Sequence, residues 1–255
     1  MRDIQSEKDT RGVYLSEVGI NRLKIPVEIV CDVVKTNTVA EFSLAVGLDE
    51  TCKGTHMSRF IEIIKEYKTI DINNLEPLLK EIIEKENAKS SFVEFKFPYF
   101  IEKAAPVSGV KSLVEIEVEL KASIKDDKFS RDITLFVPIT TLCPCSKAIS
   151  KYGAHNQRTI AKVKLVSSSD ICIEKMVSLI EKNASCEVYT ILKRPDEKYV
   201  TEKAYENAKF VEDVARDIYL TFDKMDEISE FEISVESQES IHNHNAYAKA
   251  VKRGN

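Results

Sequence analysis

The stretch SLVEIEVELK, at residues 112–121, alternates strictly between apolar and charged side chains after its first two residues. Successive side chains of a β-strand point to opposite faces of the sheet, so this alternation predicts a strand with one face in the core and the other in water. Such half-buried strands are typical of antiparallel sheets. Three further stretches have related patterns: FVEFKF (92–97), IAKVKLV (160–166) and FEISVE (231–236).

Four other segments carry apolar residues at helical spacing, where one face recurs every three or four residues. Their stripes are Phe60, Ile63, Ile64 and Tyr67; Leu75, Leu78, Leu79, Ile82 and Ile83; Ile173, Met176, Val177 and Ile180; and Val211, Val214, Ala215, Ile218 and Phe222. Strands are predicted at about 23–49, 91–125, 130–166 and 231–252, and helices at about 57–87 and 172–223. The order ββααββ therefore occurs twice. It predicts an α+β fold whose halves, 1–128 and 129–255, share an antiparallel sheet with helices on one face.

The composition limits the classes of partner. The net charge of −5 argues against broad nucleic-acid binding. The first twelve residues are polar and charged, unlike a signal peptide, and no apolar run reaches the roughly 18 residues of a membrane span. We therefore expect a cytoplasmic chain without nucleic-acid or membrane partners, whose six cysteines are reduced thiols.

Acidic residues are absent from the window between Asp132 and Asp170. The same window contains five basic residues, namely Lys147, Lys151, Arg158, Lys162 and Lys164. A local excess of positive charge in an otherwise acidic chain favours an anionic ligand.

The window also contains LCPCSKAISKYGAHNQR (142–158), with Cys143, Cys145 and His155. Thiolate and imidazole ligands suit Zn²⁺ or a similar transition metal, and a site with few protein ligands is typical of catalysis. The spacing alone leaves three interpretations open: a metal site, a nucleophilic cysteine, or a structural turn.

Three more segments contain candidate functional residues. In QESIHNHNAYA (238–248), His242 and His244 are predicted on one strand face, where they could transfer protons, unless they are simply exposed on an edge strand. Glu212 and Asp213 fall in the first turn of the last predicted helix; a carboxylate there matches the paired N–H donors of a guanine or pterin edge. KGTHMSR (53–59) leads into the first predicted helix, where backbone N–H groups with basic side chains could hold phosphate.

Together these segments resemble the prokaryotic type IB GTP cyclohydrolase I family. The motifs that carry the resemblance, in order and at similar spacing, are KGTHMSR, LCPCSK, GAHNQR, LKRPDEKYVTE, FVED and ESIHNHNAYA. The resemblance spans about residues 10–250 and implies two tandem tunnelling-fold (T-fold) units in a homotetramer with active sites at subunit interfaces. It implies conversion of GTP and water to 7,8-dihydroneopterin 3'-triphosphate and formate, the first step of pterin and folate biosynthesis, through a water activated by Zn²⁺, Mn²⁺ or Fe²⁺.

The resemblance also implies roles for single residues. The implied metal ligands are Cys143, His155 and Glu197, with Cys145 nearby as the less favoured thiol. Glu212 would anchor the guanine edge. The catalytic centre would contain Cys143, Glu239, His242 and His244, and the remaining substrate contacts would come from Lys147, Arg158, Lys193, Arg194, His56 and Arg59.

Other interpretations remain open. The archaeal-type cyclohydrolase forms a cyclic phosphate product, and the nitrile reductase of queuosine synthesis, also a T-fold enzyme, uses a nucleophilic cysteine with a nicotinamide cofactor. A non-catalytic purine-binding module would bind GTP without releasing formate. Ala208 departs from the family pattern, in which proline is common at this position.

Overall fold

We describe the fold from a computed structural model, in which residues 4, 5 and 7–254 are described. The strands of this part are β1 (Leu15–Cys31), β2 (Val34–Leu48), β3 (Thr69–Asp71), β4 (Ser91–Ala104), β5 (Lys111–Lys125), β6 (Lys128–Leu142), β7 (Asn156–Ser167), β8 (Cys186–Glu187), β9 (Ile228–Gln238) and β10 (Asn245–Lys252). Its helices are α1 (Met57–Ile64), α2 (Glu76–Glu86), α3 (Pro144–Ile149), α4 (Ile173–Glu181), α5 (Arg194–Glu206) and α6 (Val211–Phe222). None of these helices is long and apolar enough to cross a membrane.

The alternating stretch at residues 112–121 lies within β5. Val114, Ile116, Val118 and Leu120 are buried, with exposed fractions between 0% and 4%, whereas Glu115 and Glu117 on the opposite face are exposed. The predicted alternation is therefore confirmed. It gives this strand one face in the core and one in solvent, as an antiparallel sheet requires.

The chain forms two compact units. Unit 1 comprises Met1–Pro98 and Val118–Ile133, and unit 2 comprises Tyr99–Glu117 and Thr134–Asn255, so β4, β5 and β6 contribute residues to both. Within unit 1 the strand order is β3-β1-β2-β4-β5-β6, and within unit 2 it is β10-β9-β7-β6-β5-β4. The pairing is antiparallel between β1 and β2, β7 and β9, and β9 and β10; β3 is parallel to β1. The division into 1–128 and 129–255 stays a prediction.

The helices pack through the apolar stripes that the sequence predicts. In unit 1, α1 buries Phe60, Ile63 and Ile64 and contacts α2 and β1. In unit 2, α6 buries its stripe from Val211 to Phe222 and contacts β9 and β10. Burial of an apolar stripe provides most of the stability of helices this short, because isolated helices of 8–12 residues are marginal in water.

The structure corrects the sequence prediction in four elements. α5 and α3 were not predicted as separate helices, because α5 buries only Asp196 and Ala204 and α3 buries no residue, so neither shows an apolar stripe. The short strands β3 and β8 lie inside stretches that the sequence predicts as helical. Two or three residues are too few to show a period.

Candidate active site

Cys143 lies at the junction of β6 and α3. It adopts an extended conformation at the N-terminal cap of α3, and its Sγ accepts a hydrogen bond from the backbone N–H of Ser146 at 3.4 Å. The thiol is half-buried, whereas that of Cys145 is exposed. The sulfur therefore has one backbone N–H directed at it, and a cysteine sulfur binds metals as the thiolate.

Ser146 also connects Cys143 to His155. The N–H of Cys143 donates to the carbonyl oxygen of His155 at 3.1 Å. The Ser146 hydroxyl donates to the carbonyl of Cys143 at 3.1 Å and accepts from the N–H of His155 at 3.2 Å. The structure therefore brings together the segments that carry two predicted metal ligands.

The His155 ring makes its hydrogen bonds through Nδ1. Gln157 Oε1 lies 2.9 Å from this nitrogen, and the Ser240 hydroxyl lies 3.4 Å from it. Gln157 in turn donates from Nε2 to Thr141 Oγ1 at 3.1 Å. Because Nδ1 is occupied in this way, Nε2 is the ring nitrogen left for a ligand.

Glu239 reaches the same region from the end of β9. The register of β7 and β9 pairs Thr159 with Ser237, and the buried Ser237 hydroxyl donates to Glu239 Oε1 at 2.9 Å. Glu239 directly follows β9, and β9 pairs with β7, the strand that begins after His155. The next residue, Ser240, contacts the His155 ring. This places the predicted acid–base carboxylate in the segment that contacts the predicted metal ligand.

His242 and His244 lie in the loop between β9 and β10 and not on a strand, which corrects the strand prediction for this segment. Their rings nevertheless lie on one side and stack, with centroids 5.1 Å apart and an angle of 9° between the planes. Both side chains are exposed. A stacked, solvent-accessible pair of imidazoles can exchange protons with a ligand and with water.

Lys209 holds the start of α6 beside the Cys143 segment. Its N–H donates to the carbonyl of Leu142 at 3.1 Å, and its ammonium group donates to Asn183 O at 3.0 Å and Asp217 Oδ2 at 2.9 Å. Glu212 follows three residues later, in the first turn of α6, with an exposed side chain. The helix dipole stabilises a carboxylate at this position.

Glu212 and its neighbour Asp213 differ in their contacts. Asp213 Oδ2 accepts a hydrogen bond from the N–H of Phe210 at 3.0 Å and so caps the helix. The exposed Glu212 carboxylate is therefore the better placed of the two for a ligand.

The α5 helix carries Glu197 beside a buried carboxylate. Asp196 is fully buried and accepts hydrogen bonds from Val107 N, Ser108 N and Lys193 N, each at 2.8 Å, and from Ser108 Oγ at 2.6 Å. Burial acts to raise the pKa of Asp196, but these hydrogen bonds outweigh it and hold the pKa well below its usual range. Asp196 therefore anchors the start of α5, where the exposed Glu197 lies.

A small apolar cluster holds the other end of α5. Ala204 is buried against Leu142 and Cys186, with Val200 packed on the same cluster. Because Leu142 directly precedes Cys143, this contact fixes α5 near the thiol. Among residues 4, 5 and 7–254, however, no three His, Cys, Asp or Glu side chains lie close enough together to hold a metal ion.

The predicted triphosphate ligands of unit 2 are on the surface. Arg158, Lys193 and Arg194 are exposed. The Lys147 ammonium group bonds to the carbonyl of Tyr205 and lies 4.5 Å from the centroid of the Tyr205 ring. Lys147 would have to leave this contact, or share it, in order to bind phosphate.

The structure places His56 and Arg59 in unit 1, on a cavity of about 820 Å³ that Glu86 also lines. The N–H of His56 donates to Glu86 Oε2 at 3.4 Å, and the Arg59 guanidinium lies 3.9 Å from the same carboxylate and donates to Lys85 O at 3.0 Å. The Thr55 hydroxyl also bonds to Glu86. The substrate-binding roles of His56 and Arg59 stay predictions.

Three site residues were not predicted from the sequence. Ser146 lies in LCPCSK and Gln157 in GAHNQR, the motifs whose predicted metal ligands are Cys143 and His155. Thr141 directly precedes the first of these motifs. A signal for Gln157 was present, since residues two apart on a strand share a face and Gln157 follows His155 by two. The contact to Thr141 depends on strand pairing, which the local pattern does not show.

The model of one protein family, described as type I GTP cyclohydrolase folE2, matches residues 1–248. The chain belongs to this family. A protein from Thermosipho africanus named GTP cyclohydrolase FolE2 is 49% identical over 251 residues, which cover 97% of this chain and 96% of that protein. Another with the same name, from Magnetococcus marinus, is 47% identical over 97% of this chain and 94% of that protein. The predicted family, and with it the prediction of a GTP cyclohydrolase, is confirmed.

A solved structure shows the same fold at low sequence identity. The crystal structure of a uricase from Arthrobacter globiformis covers 93% of this chain, with 93% of its own chain matched, at a TM-score of 0.52 and 7% identity. This likeness concerns the fold alone. It confirms that this member of the folE2 family has the predicted tunnelling fold.

Proposed function

We propose that the chain converts GTP and water to 7,8-dihydroneopterin 3'-triphosphate and formate, the first step of folate-type pterin biosynthesis. The observation that carries the proposal is the junction at Cys143, where hydrogen bonds join the segments of His155, Ser240 and Lys209 in a chain of this family. Through this junction a thiol, an imidazole, Glu239 and the helix whose first turn contains Glu212 belong to one region of unit 2.

Glu212 provides the recognition of guanine in this proposal. Its carboxylate is exposed at the start of α6 and has two acceptor oxygens. The Watson–Crick edge of guanine presents an N1–H and a 2-amino group side by side, which a carboxylate can bind through two parallel charge-assisted hydrogen bonds. Adenine lacks this pair of donors, so the same contact selects against ATP.

A divalent metal, Zn²⁺, Mn²⁺ or Fe²⁺, fits the donor chemistry of Cys143 and His155. The Cys143 sulfur accepts a hydrogen bond from a backbone N–H. The hydrogen bonds of the His155 ring are made by Nδ1, which leaves Nε2 for a metal. Sulfur and imidazole nitrogen are both suitable ligands for a borderline metal. Glu197 is the proposed third ligand, and water, substrate or a neighbouring subunit would complete the coordination. When bound, the metal would supply Lewis acidity that lowers the pKa of water toward about 7.

The protons of the reaction are assigned to His242, His244 and Glu239. Opening the imidazole ring of guanine, releasing formate, rearranging the ribose and closing the pterin ring each require proton transfer at a nitrogen or oxygen. An imidazole can both give and take a proton, and the two rings stack on each other. The hydrogen bond from Ser237 holds one oxygen of Glu239, so its other oxygen remains to accept or donate a proton.

The triphosphate is assigned to basic side chains in two groups. Lys147, Arg158, Lys193 and Arg194 belong to unit 2, and His56 and Arg59 to unit 1. Arginine binds phosphate oxygens in a bidentate manner, and lysine contributes a point charge. We propose a homotetramer in the cytoplasm, whose neighbouring subunits complete each site.

The test is to incubate purified protein with GTP, first after chelation and then with each metal added back, and to measure formate and the fluorescent pterin. We expect equal amounts of both products, and only with metal. Cys143→Ala should abolish them. Cys172→Ala, at the cap of α4, is the matched control that should retain them.

Other results would select another function. A cyclic phosphate product would indicate the archaeal-type reaction. Metal-independent reduction of a nitrile would indicate the reductase, and tight GTP binding without formate from the metal-replete protein would indicate a binding module.

A further inference from the structure

A file of polar side chains leads from the core of unit 2 to His155. Gln157 and Thr159 are two residues apart and share one face at the start of β7, and His155 directly precedes that strand. Thr141 lies on β6, the neighbouring strand in the sheet. Its hydroxyl is 2.8 Å from that of Thr159 and 3.1 Å from Gln157 Nε2.

The direction of the Gln157 amide indicates which nitrogen of the neutral His155 ring carries the proton. Its Nε2 donates to Thr141, so its Oε1 faces His155 Nδ1 at 2.9 Å. A carbonyl oxygen can only accept a hydrogen bond, so Nδ1 must carry the proton. The lone pair of a neutral imidazole then lies on Nε2, and a metal can bind there without displacing a proton.

Two buried threonines form the inner end of the file. Thr141 and Thr159 are 1% and 0% exposed, so water does not replace their partners. When the Thr141 hydroxyl donates its proton to Thr159, the Thr141 oxygen is left to accept from Gln157 Nε2. A flipped amide would direct an NH₂ group at Nδ1 and favour the tautomer whose proton blocks Nε2.

We propose that Gln157 is a positioning residue that holds His155 in the Nδ1–H tautomer while its amide nitrogen bonds to Thr141. The proposal deepens the proposed function, because it rests on His155 as a metal ligand. Partners of this kind typically change metal affinity by 10- to 100-fold.

The experiment compares Gln157→Met, which keeps the length of the side chain but removes the acceptor, with Gln157→Glu, which keeps the acceptor. Zn²⁺ affinity is measured by competition with a chelating dye. We expect roughly 10- to 100-fold weaker binding for Gln157→Met and wild-type or tighter binding for Gln157→Glu. Equal affinity of the wild type and a folded Gln157→Met would overturn the proposal.

A second measurement does not require metal. The metal-free protein, labelled with ¹⁵N-histidine, reports the tautomer of His155 by NMR, with the signal assigned by comparison with His155→Asn. We expect the Nδ1–H form in the wild type and in Gln157→Glu, and loss of that preference in Gln157→Met. An Nε2–H wild type would refute the assignment even if the enzyme were active.

Thr141→Val and Thr141→Ser test the inner part of the file if Gln157→Met fails to fold. Only the serine variant keeps the hydroxyl, so the Nδ1–H preference should survive in Thr141→Ser and weaken in Thr141→Val. If both variants retain it fully, the bond between Gln157 and Thr141 plays no part in the preference, and that part of the proposal is wrong. Failure of the wild type to bind any metal would remove the proposed function, but the NMR result would still decide the tautomer.

Discussion

Lys103 and Glu181 form a buried ion pair in unit 2, between β4 and the last residue of α4. The Lys103 ammonium group is 2.6 Å from Glu181 Oε1 and 2.9 Å from Val188 O, and the side chains are only 13% and 9% exposed. Lys103→Met keeps most of the side-chain volume but leaves a carboxylate and a carbonyl without their donor. Removing one partner of a buried pair costs about 3–5 kcal/mol. We expect the lower end, about 3 kcal/mol at pH 8, because Glu181 can take up a proton.

The cost should depend on pH with a defined sign. Burial raises the pKa of Glu181 above its usual value of 4.5, although the nearby Lys103 opposes the shift. A carboxyl whose pKa is raised by folding favours the folded state most below its unfolded pKa, and this contribution is lost as the pH rises through the folded pKa. Without Lys103 the folded pKa rises further, so the free-energy cost of Lys103→Met should increase between pH 5 and pH 8.

The assay is urea unfolding followed by circular dichroism at both pH values. The matched control is Lys111→Met, because the Lys111–Glu102 pair has a similar distance of 2.7 Å but exposed side chains, so its loss should leave stability almost unchanged. The double variant Lys103→Met/Glu181→Leu should recover most of the stability by removing the orphaned carboxylate. A cost below about 1 kcal/mol for Lys103→Met, or a cost that does not change with pH, would refute the reasoning.

Three further predictions concern the site. Glu212→Gln should weaken GTP binding about 10- to 100-fold, since each hydrogen bond to a charged group contributes about 1.5–3 kcal/mol. The amount of bound metal should not change. Isothermal titration measures the GTP affinity and elemental analysis the metal, and a normal GTP affinity would remove the anchor role of Glu212. Cys143→Ala should lose metal and activity without a change in oligomeric state, whereas Cys145→Ala should keep its metal by elemental analysis; the reverse result would reassign the ligand to Cys145. Folding lowers the pKa of Asp196, so the stability that this carboxylate contributes is complete above its unfolded pKa and is lost as the pH falls through its folded pKa. Asp196→Asn should therefore lower the midpoint of urea unfolding at pH 7, and the midpoint of the variant should decline less toward pH 3. An unaltered midpoint at pH 7 would contradict the role of the four hydrogen bonds to Asp196.

Much of the fold could be predicted because burial imposes a period on the sequence. β5 alternates between core and solvent, and α1 and α6 bury one stripe each, so both periods appear in the residue types. α5 shows no such period. Its stability comes from the buried Asp196 at its start and from Ala204 against Leu142, and neither contact produces an apolar stripe.

The candidate site was predictable as a set of residue types but not as a geometry. The motifs contained Cys143, His155 and Glu239, yet their proximity depends on the bond between Cys143 N and His155 O and on the register of Thr159 and Ser237. These contacts involve backbone atoms and residues distant in sequence. A local sequence pattern carries little information about either. For His242 and His244 the predicted strand is a loop, yet the expected placement of the two side chains on one side is found.

The proposed function assigns metal binding and proton transfer to different parts of the site around Cys143. The segments of the proposed ligands Cys143 and His155 are joined by a backbone hydrogen bond. The His155 ring contacts Gln157, the outer member of a file whose inner members, Thr141 and Thr159, are buried. The imidazoles of His242 and His244 are exposed and stack on each other instead. A ligand held from the core can bind a metal without reorganisation, whereas an exposed base can exchange its proton with water during each turnover. Substitutions in the buried file should therefore affect metal affinity, and substitutions of the stacked pair should affect turnover at constant metal content.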